Sequence, residues 1–297
     1  MNGSFVLYAL ISAMVLLWSA NFIIGKVALR EFPPLLLGAL RIGLAGIFLA
    51  PAYWRKTRAT GGIWPPADLM LLAFLAACNV GNQLLFLFGL HRTSVAHSAL
   101  ILGLGPIFVL LIAAATGLEQ ITMRKTAGMI LALGGVAALA YQASAPLASG
   151  AAPSEATVAG DTITAAACVL FSLFAVFGKR AAQRHSTVAV NGFAYISGAA
   201  LLAPVLLWKA RDFSFAHVSA AGWSSLVYMA LFPSVICYLI YYHALTRISA
   251  SRVSAFIYLE PVIATLMGVA FLGERISTSL VAGGTVIFTG VYLTERG

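Results

Sequence analysis

Asn79, Asn82, Gln83 and Phe86 stand at i, i+3, i+4 and i+7 of one apolar run, so three amides and an aromatic ring share one helical face. Amides facing hydrocarbon are costly, and this face therefore points inward, either joining helices by hydrogen bonds or lining a cavity. Two ionisable residues lie at similar depth. Arg41 sits roughly 10 Å inside its run at 1.5 Å per residue, where it either snorkels to the headgroups or offers a cation to a solute carboxylate or to Glu260. Glu260 is the one acid deep in the run 250 to 272, and there it must be protonated, paired or hydrated. Tyr258 and Glu260 are about 200° apart around a helix, so they cannot both face one cavity. The cavity goes to Tyr258 in this reading, and Glu260 to a neighbouring helix.

These are residues for recognition rather than bond making. The chain has no His-Glu-x-x-His, no Gly-x-Ser-x-Gly, no intramembrane aspartate pair and no Walker A sequence. His97 and His243 are single, and Cys78, Cys168 and Cys237 are dispersed without metal-ligand spacing. Neither an enzyme nor a bound metal or cofactor is expected.

The elements that must position these residues follow from composition. Of 297 residues, 61% are hydrophobic and 9% charged, against roughly a quarter charged in a soluble domain. At about 20 residues per crossing the chain accommodates ten spans: 5 to 25, 34 to 54, 67 to 90, 94 to 118, 123 to 141, 158 to 179, 187 to 208, 219 to 245, 250 to 272 and 277 to 294. The first run lacks a basic leader and a cleavage site, so it is expected to stay as a span. The net charge of +9 reflects short basic clusters between spans, which are topology signals rather than a nucleic-acid surface. With a cytoplasmic N-terminus, eleven of the 18 basic residues fall inside and six outside, with Arg41 left within a span. The connection 142 to 160 carries no Lys or Arg and is expected outside, which leaves both termini cytoplasmic.

An internal repeat changes the reading further. Residues 92 to 122 lie on 247 to 277 without a gap at an offset of 155, pairing Pro106 with Pro261 and Glu119 with Glu274, and the same offset continued pairs Gly128 with Gly283 and Gly135 with Gly290. Nearer the N-terminus the offset is 153, and Ser19, Lys26 and Pro51 meet Ser172, Lys179 and Pro204. Five spans per copy is an odd number, so the copies cross in opposite senses, an inverted repeat of the kind that builds transporters with a site near the midplane. The expected division is 1 to 141, a linker at 142 to 160, and 161 to 297. Under the 155 offset Asn79, Gln83, Phe86 and Leu87 fall on Ser234, Tyr238, Tyr241 and Tyr242, giving both copies a polar or aromatic face. Trp18, Asn21 and Phe22, with Phe171 and Phe174, extend it. Pro106 and Pro261 predict kinks at equivalent positions, as candidate hinges. Gly43, Gly46, Gly134, Gly135, Gly283 and Gly284 predict close helix contacts.

The ordered set Trp18-Ser19-Ala20-Asn21-Phe22, Pro33-Pro34 to Leu40-Arg41, Pro106 with Glu119, and Leu259-Glu260-Pro261 followed by Leu272-Gly273-Glu274-Arg275 resembles the EamA-type branch of the drug/metabolite transporter superfamily. The resemblance implies an all-α integral membrane fold of ten helices in two inverted five-helix repeats. It also implies a cavity between spans one to four and six to nine, fifth and tenth spans at the periphery, and metabolite transport in a bacterial-type inner membrane. The copies differ where Gly105-Pro106 faces Glu260-Pro261. The expected solute is small and neutral or zwitterionic, amino acids first and moving outward. Efflux of lipophilic cations is the second reading, and a non-transporting receptor or scaffold the third. The expected partners are that solute and the lipid bilayer, with no nucleic acid and no oligomeric state specified.

Overall fold

Inside a bilayer each backbone N–H and C=O must be satisfied within the protein, which makes helices the form these apolar runs take. The computed structural model describes residues 3–59, 64–93, 95–143, 158–260, 262–263, 266–267 and 278–297. Among these no strand occurs. The chain runs through α1 (Gly3–Leu29), α2 (Pro34–Ala59), α3 (Pro66–Arg92), α4 (Val95–Leu102), α5 (Gly105–Ala115), α6 (Met123–Ala143), α7 (Val158–Arg184) and α8 (Thr187–Arg211). α9 (Ala220–Met229), a π-helical segment (Ala230–Ile236) and α10 (Cys237–Leu245) then form one rod, followed by α11 (Ala250–Ala255), a 3-10 turn (Phe256–Leu259) and α12 (Thr278–Arg296). Six helices of the described chain are long and apolar enough to cross a membrane: α1, α2, α3, α7, α8 and the rod Ala220–Leu245.

Two expected spans are not simple helices. The run 94 to 118 is interrupted at 103–104, so that Pro106 sits in the first turn of α5, where its missing N–H costs nothing. The ninth run starts as α11 and tightens into the 3-10 turn. Pro261, the segment Leu272-Gly273-Glu274-Arg275 and most of the 142 to 160 linker lie outside the described residues.

Equivalent helices of the two copies pack on each other in opposite senses. A Cβ on Gly128 would meet Gly290 O at 2.6 Å, and one on Gly135 would meet Gly283 O at 3.0 Å. Because 128 and 135 correspond to 283 and 290, this is one contact made twice, and it runs α6 antiparallel to α12. Likewise a Cβ on Gly46 of α2 would meet Tyr195 O of α8 at 3.1 Å, and one on Gly192 would meet the Tyr53 side chain at 2.7 Å. A Cβ on Gly43 or Gly134, both expected at close contacts, would meet nothing within 4 Å, and one on Gly284 would meet Val262 only at 3.6 Å. Their faces of the helices turn away from the seams. Large apolar residues such as Ile47, Ile130, Leu201 and Phe288 are exposed on the outside, while Asn79, Gln83, Asn191 and Arg41 are buried, the reverse of a soluble protein.

The helix ends are tied by the same symmetry. Lys26 Nζ donates to Thr93 O at 2.8 Å, and its counterpart Lys179 donates to Ile248 O at 2.9 Å, each satisfying a carbonyl at a hairpin. On the side where α1 begins and α12 ends, Tyr8 and Arg252 both hydrogen-bond Glu295. Glu119 accepts there from Ala250 N at 2.7 Å, from Ser251 N at 3.2 Å, from the Ser251 hydroxyl, and from Lys125 Nζ at 3.3 Å. It thereby pins the turn after α5 to the start of α11. Burial alone would raise the Glu119 carboxyl, but the Ser251 donors and Lys125 outweigh it and hold it below its ordinary value near 4.5. A depressed carboxylate contributes stability that is complete above the unfolded value and is lost as pH falls through the folded one. Glu119→Gln is therefore expected to destabilise the protein by about 1.5–3 kcal/mol at pH 7. In thermal unfolding at a series of pH values, the gap to wild type should close below about pH 4.5.

Candidate substrate cavity

The centre of the bundle is shaped by a local conflict in the rod Ala220–Leu245. Pro233 has no N–H, so Met229 O loses its ordinary helical donor, and the chain widens into the π segment. The Ser234 hydroxyl, buried beside it, shares its proton between Met229 O at 3.0 Å and Gln83 Oε1 at 3.1 Å. It accepts in turn from Arg41 Nε at 2.8 Å. Gln83 Nε2 donates to Asn79 Oδ1 at 2.8 Å and to the Tyr195 hydroxyl at 2.7 Å. A polar chain thus links α2, α3, α8 and the π segment deep in the bundle. Such networks are costly when incomplete, and this one leaves Arg41 Nη1 without a partner among the described residues.

Beside this chain lies a cavity of about 90 Å³. Of the candidate site residues, Trp18, Asn21, Arg41, Asn82, Gln83, Phe86, Tyr238 and Glu260 line it, together with Phe22 and Phe171. Asn82 also donates to Ala167 O at 2.8 Å, so it joins α3 to α7 while facing the cavity. Arg41 does not snorkel: it is 3% exposed and turned into the bundle by Ser234.

Four candidates lie elsewhere. Asn79 sits behind Gln83, its carbonyl oxygen occupied by that side chain. Tyr241 is enclosed by Trp18 and Phe171, with ring centroids 5.6 and 5.4 Å away, and Tyr242 packs on Phe174 at 5.2 Å and on Gly178. With Phe174 they form a fully buried aromatic layer between the cavity and the side bearing the termini. The fourth is Tyr258, fully buried in an apolar cluster with Leu110, Met129 and Ile287 at the peripheral helices. Tyr258 and Glu260 do diverge as their spacing requires, but the assignment is reversed, and Glu260 is the one facing the cavity. The equivalent position supports that orientation, since a Cβ on Gly105 would stand 3.4 Å from Sγ of the cavity-lining Cys168. Pro106 is buried at the start of α5 and does not line the cavity.

One family matches the sequence twice, the "EamA-like transporter family", over residues 4–141 and 158–296. The chain belongs to this family. It is thus a multi-pass membrane protein of two repeats in a family of transporters, not enzymes. Full-length relatives of this EamA-like chain include an "Uncharacterized transporter" of Archaeoglobus fulgidus, 24% identical over 97% of this chain and 96% of that protein. A "Probable terminal-alkyne amino-acid exporter" of Streptantibioticus cattleyicolor is 28% identical over 100% and 95%. A "Probable amino-acid metabolite efflux pump" of Salmonella typhimurium is 26% identical over 96% and 93%. A solved structure described as "Crystal structure of protein" shares the fold, with a TM-score of 0.76 at 23% identity over 97% of this chain and 96% of that one.

Several residues of the EamA-like site escape the sequence reading. Tyr195 supports Gln83 from α8, and Asn191 and Tyr195 at i and i+4 form a second buried polar face, a signal the spacing rule used on α3 would have found. Cys168, Leu102 and Ile257 line the cavity as ordinary apolar residues, and no sequence pattern marks them.

Proposed function

We propose that this protein is a secondary transporter, an exporter of small neutral or zwitterionic metabolites with amino acids the first candidates, acting in the inner membrane. The observation that carries this is the cavity itself: amides, aromatic rings, one guanidinium and one carboxyl group around a space deep in a bundle whose exterior is apolar. The printed names of two relatives, an amino-acid exporter and an amino-acid metabolite efflux pump, support the same class. In our reading ten helices form two inverted five-helix halves, 1 to 141 and 161 to 297, joined by an external linker, with both termini cytoplasmic. The antiparallel packing of α6 on α12 and α2 on α8 supports the inversion. The aromatic layer of Phe174, Tyr241 and Tyr242 then closes the cytoplasmic side, and alternation consists of opening that layer while the opposite side closes. Cationic drug efflux fits less well, because Arg41 in the same cavity repels a cation.

The test is flux of a mixed metabolite panel in proteoliposomes, with and without a pH gradient. Saturable movement of at least one small neutral or zwitterionic metabolite is expected. Movement of lipophilic cations alone, or of nothing, contradicts the proposal, and equal rates under both conditions exclude proton coupling.

A further inference from the structure

We infer that Asn79, Asn191 and Tyr242 form a second hydrogen-bonding layer for the solute, one helical turn nearer the side of the termini than the cavity, which the solute crosses when the protein opens to that side. The inference rests on the transport reading above and adds a route to it. All three residues are buried. Among the described residues Asn191 Oδ1 and Nδ2, Asn79 Nδ2 and the Tyr242 hydroxyl have no hydrogen-bond partner. A buried polar group without a partner is a standing cost to the fold, and four such atoms on three neighbouring helices need a reason. Contact with water and solute in the other state of a transport cycle supplies one.

Helix geometry gathers them. Gln83, Tyr195 and Tyr238 meet at the level of the cavity, where Gln83 donates to the Tyr195 hydroxyl at 2.7 Å and the Tyr195 and Tyr238 rings lie 6.1 Å apart. Asn79, Asn191 and Tyr242 each stand four residues from one of these, on the same face of α3, α8 and α10. The step leads the same way on all three helices. It runs toward the starts of α3 and α8, where His185 and Asp68 meet at 3.0 Å, and toward the end of α10, where Lys179 near the end of α7 donates to Ile248 O at 2.9 Å. Four residues of helix rise by about 6 Å, so the second layer lies about one turn beyond the first.

The fold does not itself require polar groups there. The repeat places Asn191 on Gly38 at the 153 offset and Tyr242 on Leu87 at the 155 offset. That apolar pair packs together, since a Cβ on Gly38 would stand 3.4 Å from Leu87 Cδ1, and in the other copy α8 packs on α10 in the same way. Asn79 falls on Ser234, whose hydroxyl is bonded to Arg41, Gln83 and Met229. At equivalent positions, then, one side of the bundle is sealed by apolar and bonded groups and the other by unpartnered ones. Two amides and a phenol offer both donors and acceptors without a charge. That suits passing contact with the polar end of a neutral or zwitterionic solute rather than tight binding.

The experiment measures melting temperature and transport per folded molecule for Asn191→Leu, Tyr242→Phe and a control, Tyr258→Phe, with whichever metabolite of the mixed panel the wild type moves fastest. Asn191→Leu replaces an unpartnered amide by an apolar group of similar volume, and Tyr242→Phe deletes an unpartnered hydroxyl. Groups that served only the packed state would be replaced without loss of transport. The inference predicts melting temperatures at or above wild type together with transport lowered about 3- to 10-fold. Tyr258→Phe should transport as wild type, because its hydroxyl is also buried and unpartnered but lies among Leu110, Met129 and Ile287. Asn191→Cys should react with a water-soluble maleimide faster than the three native thiols of the wild type, which are buried. Wild-type transport in either folded layer variant overturns the inference, as does an equal loss in Tyr258→Phe or a loss that comes with a lowered melting temperature. In each of these cases the transport reading stands. If neither layer variant folds, the maleimide decides, and labelling no faster than wild type overturns the inference. No flux of any metabolite in the wild type overturns the transport reading and the inference with it.

Discussion

Gln83→Ala is expected to raise the KM for a transported metabolite about tenfold or more while most of the protein still folds. Gln83 faces the cavity and at the same time holds Asn79, Tyr195 and Ser234 in place. Truncation removes a polar contact to the solute and withdraws a donor from Asn79 Oδ1 and from the Tyr195 hydroxyl. An unsatisfied buried group costs about 1–3 kcal/mol, and water entering from the cavity recovers part of that. Ser234 also loses an acceptor, so its hydroxyl turns wholly to Met229 O and Arg41 is less firmly aimed. Transport per folded molecule, measured against Phe288→Ala on the exposed face of α12, separates these effects from a general loss of protein. An unchanged KM would remove Gln83 from the transport path.

Tyr241 should behave in the opposite way. Its ring fills the space between Trp18 and Phe171, and its hydroxyl has no partner among the described residues. Tyr241→Phe is therefore expected to leave KM unchanged. Tyr241→Ala, by contrast, deletes a fully buried ring and should lower stability by about 3–5 kcal/mol, with a clear drop in melting temperature. A raised KM in Tyr241→Phe would mean that the phenol touches the solute, and the aromatic layer would then belong to the binding site.

Residues whose position depends on one helix were legible in the sequence. The face shared by Asn82, Gln83 and Phe86 follows from 3.6 residues per turn alone, and all three line the cavity. The repeat was legible as well, down to Lys26 and Lys179 making equivalent contacts. Residues whose position depends on several helices were not. Arg41 is aimed by a hydroxyl 193 residues away, in a π segment that only Pro233 hints at. The choice between Tyr258 and Glu260 turns on the rotation of a short helix that tightens into a 3-10 turn, which spacing cannot supply. Tyr241 was assigned by its equivalence to Phe86, yet one lines the cavity and the other is packed away. Two halves with the same sequence pattern need not hold the same conformation, and here they do not.

The central claim is that the cavity beside Arg41, Gln83 and Glu260 is where the solute binds during transport, and the most direct measurement is amino-acid counterflow in proteoliposomes holding equal amounts of folded wild type and Gln83→Ala. The account predicts saturable counterflow in the wild type and a KM raised about tenfold or more in the variant. Identical kinetics in the two, or no saturable counterflow of any small neutral or zwitterionic metabolite in the wild type, would contradict it.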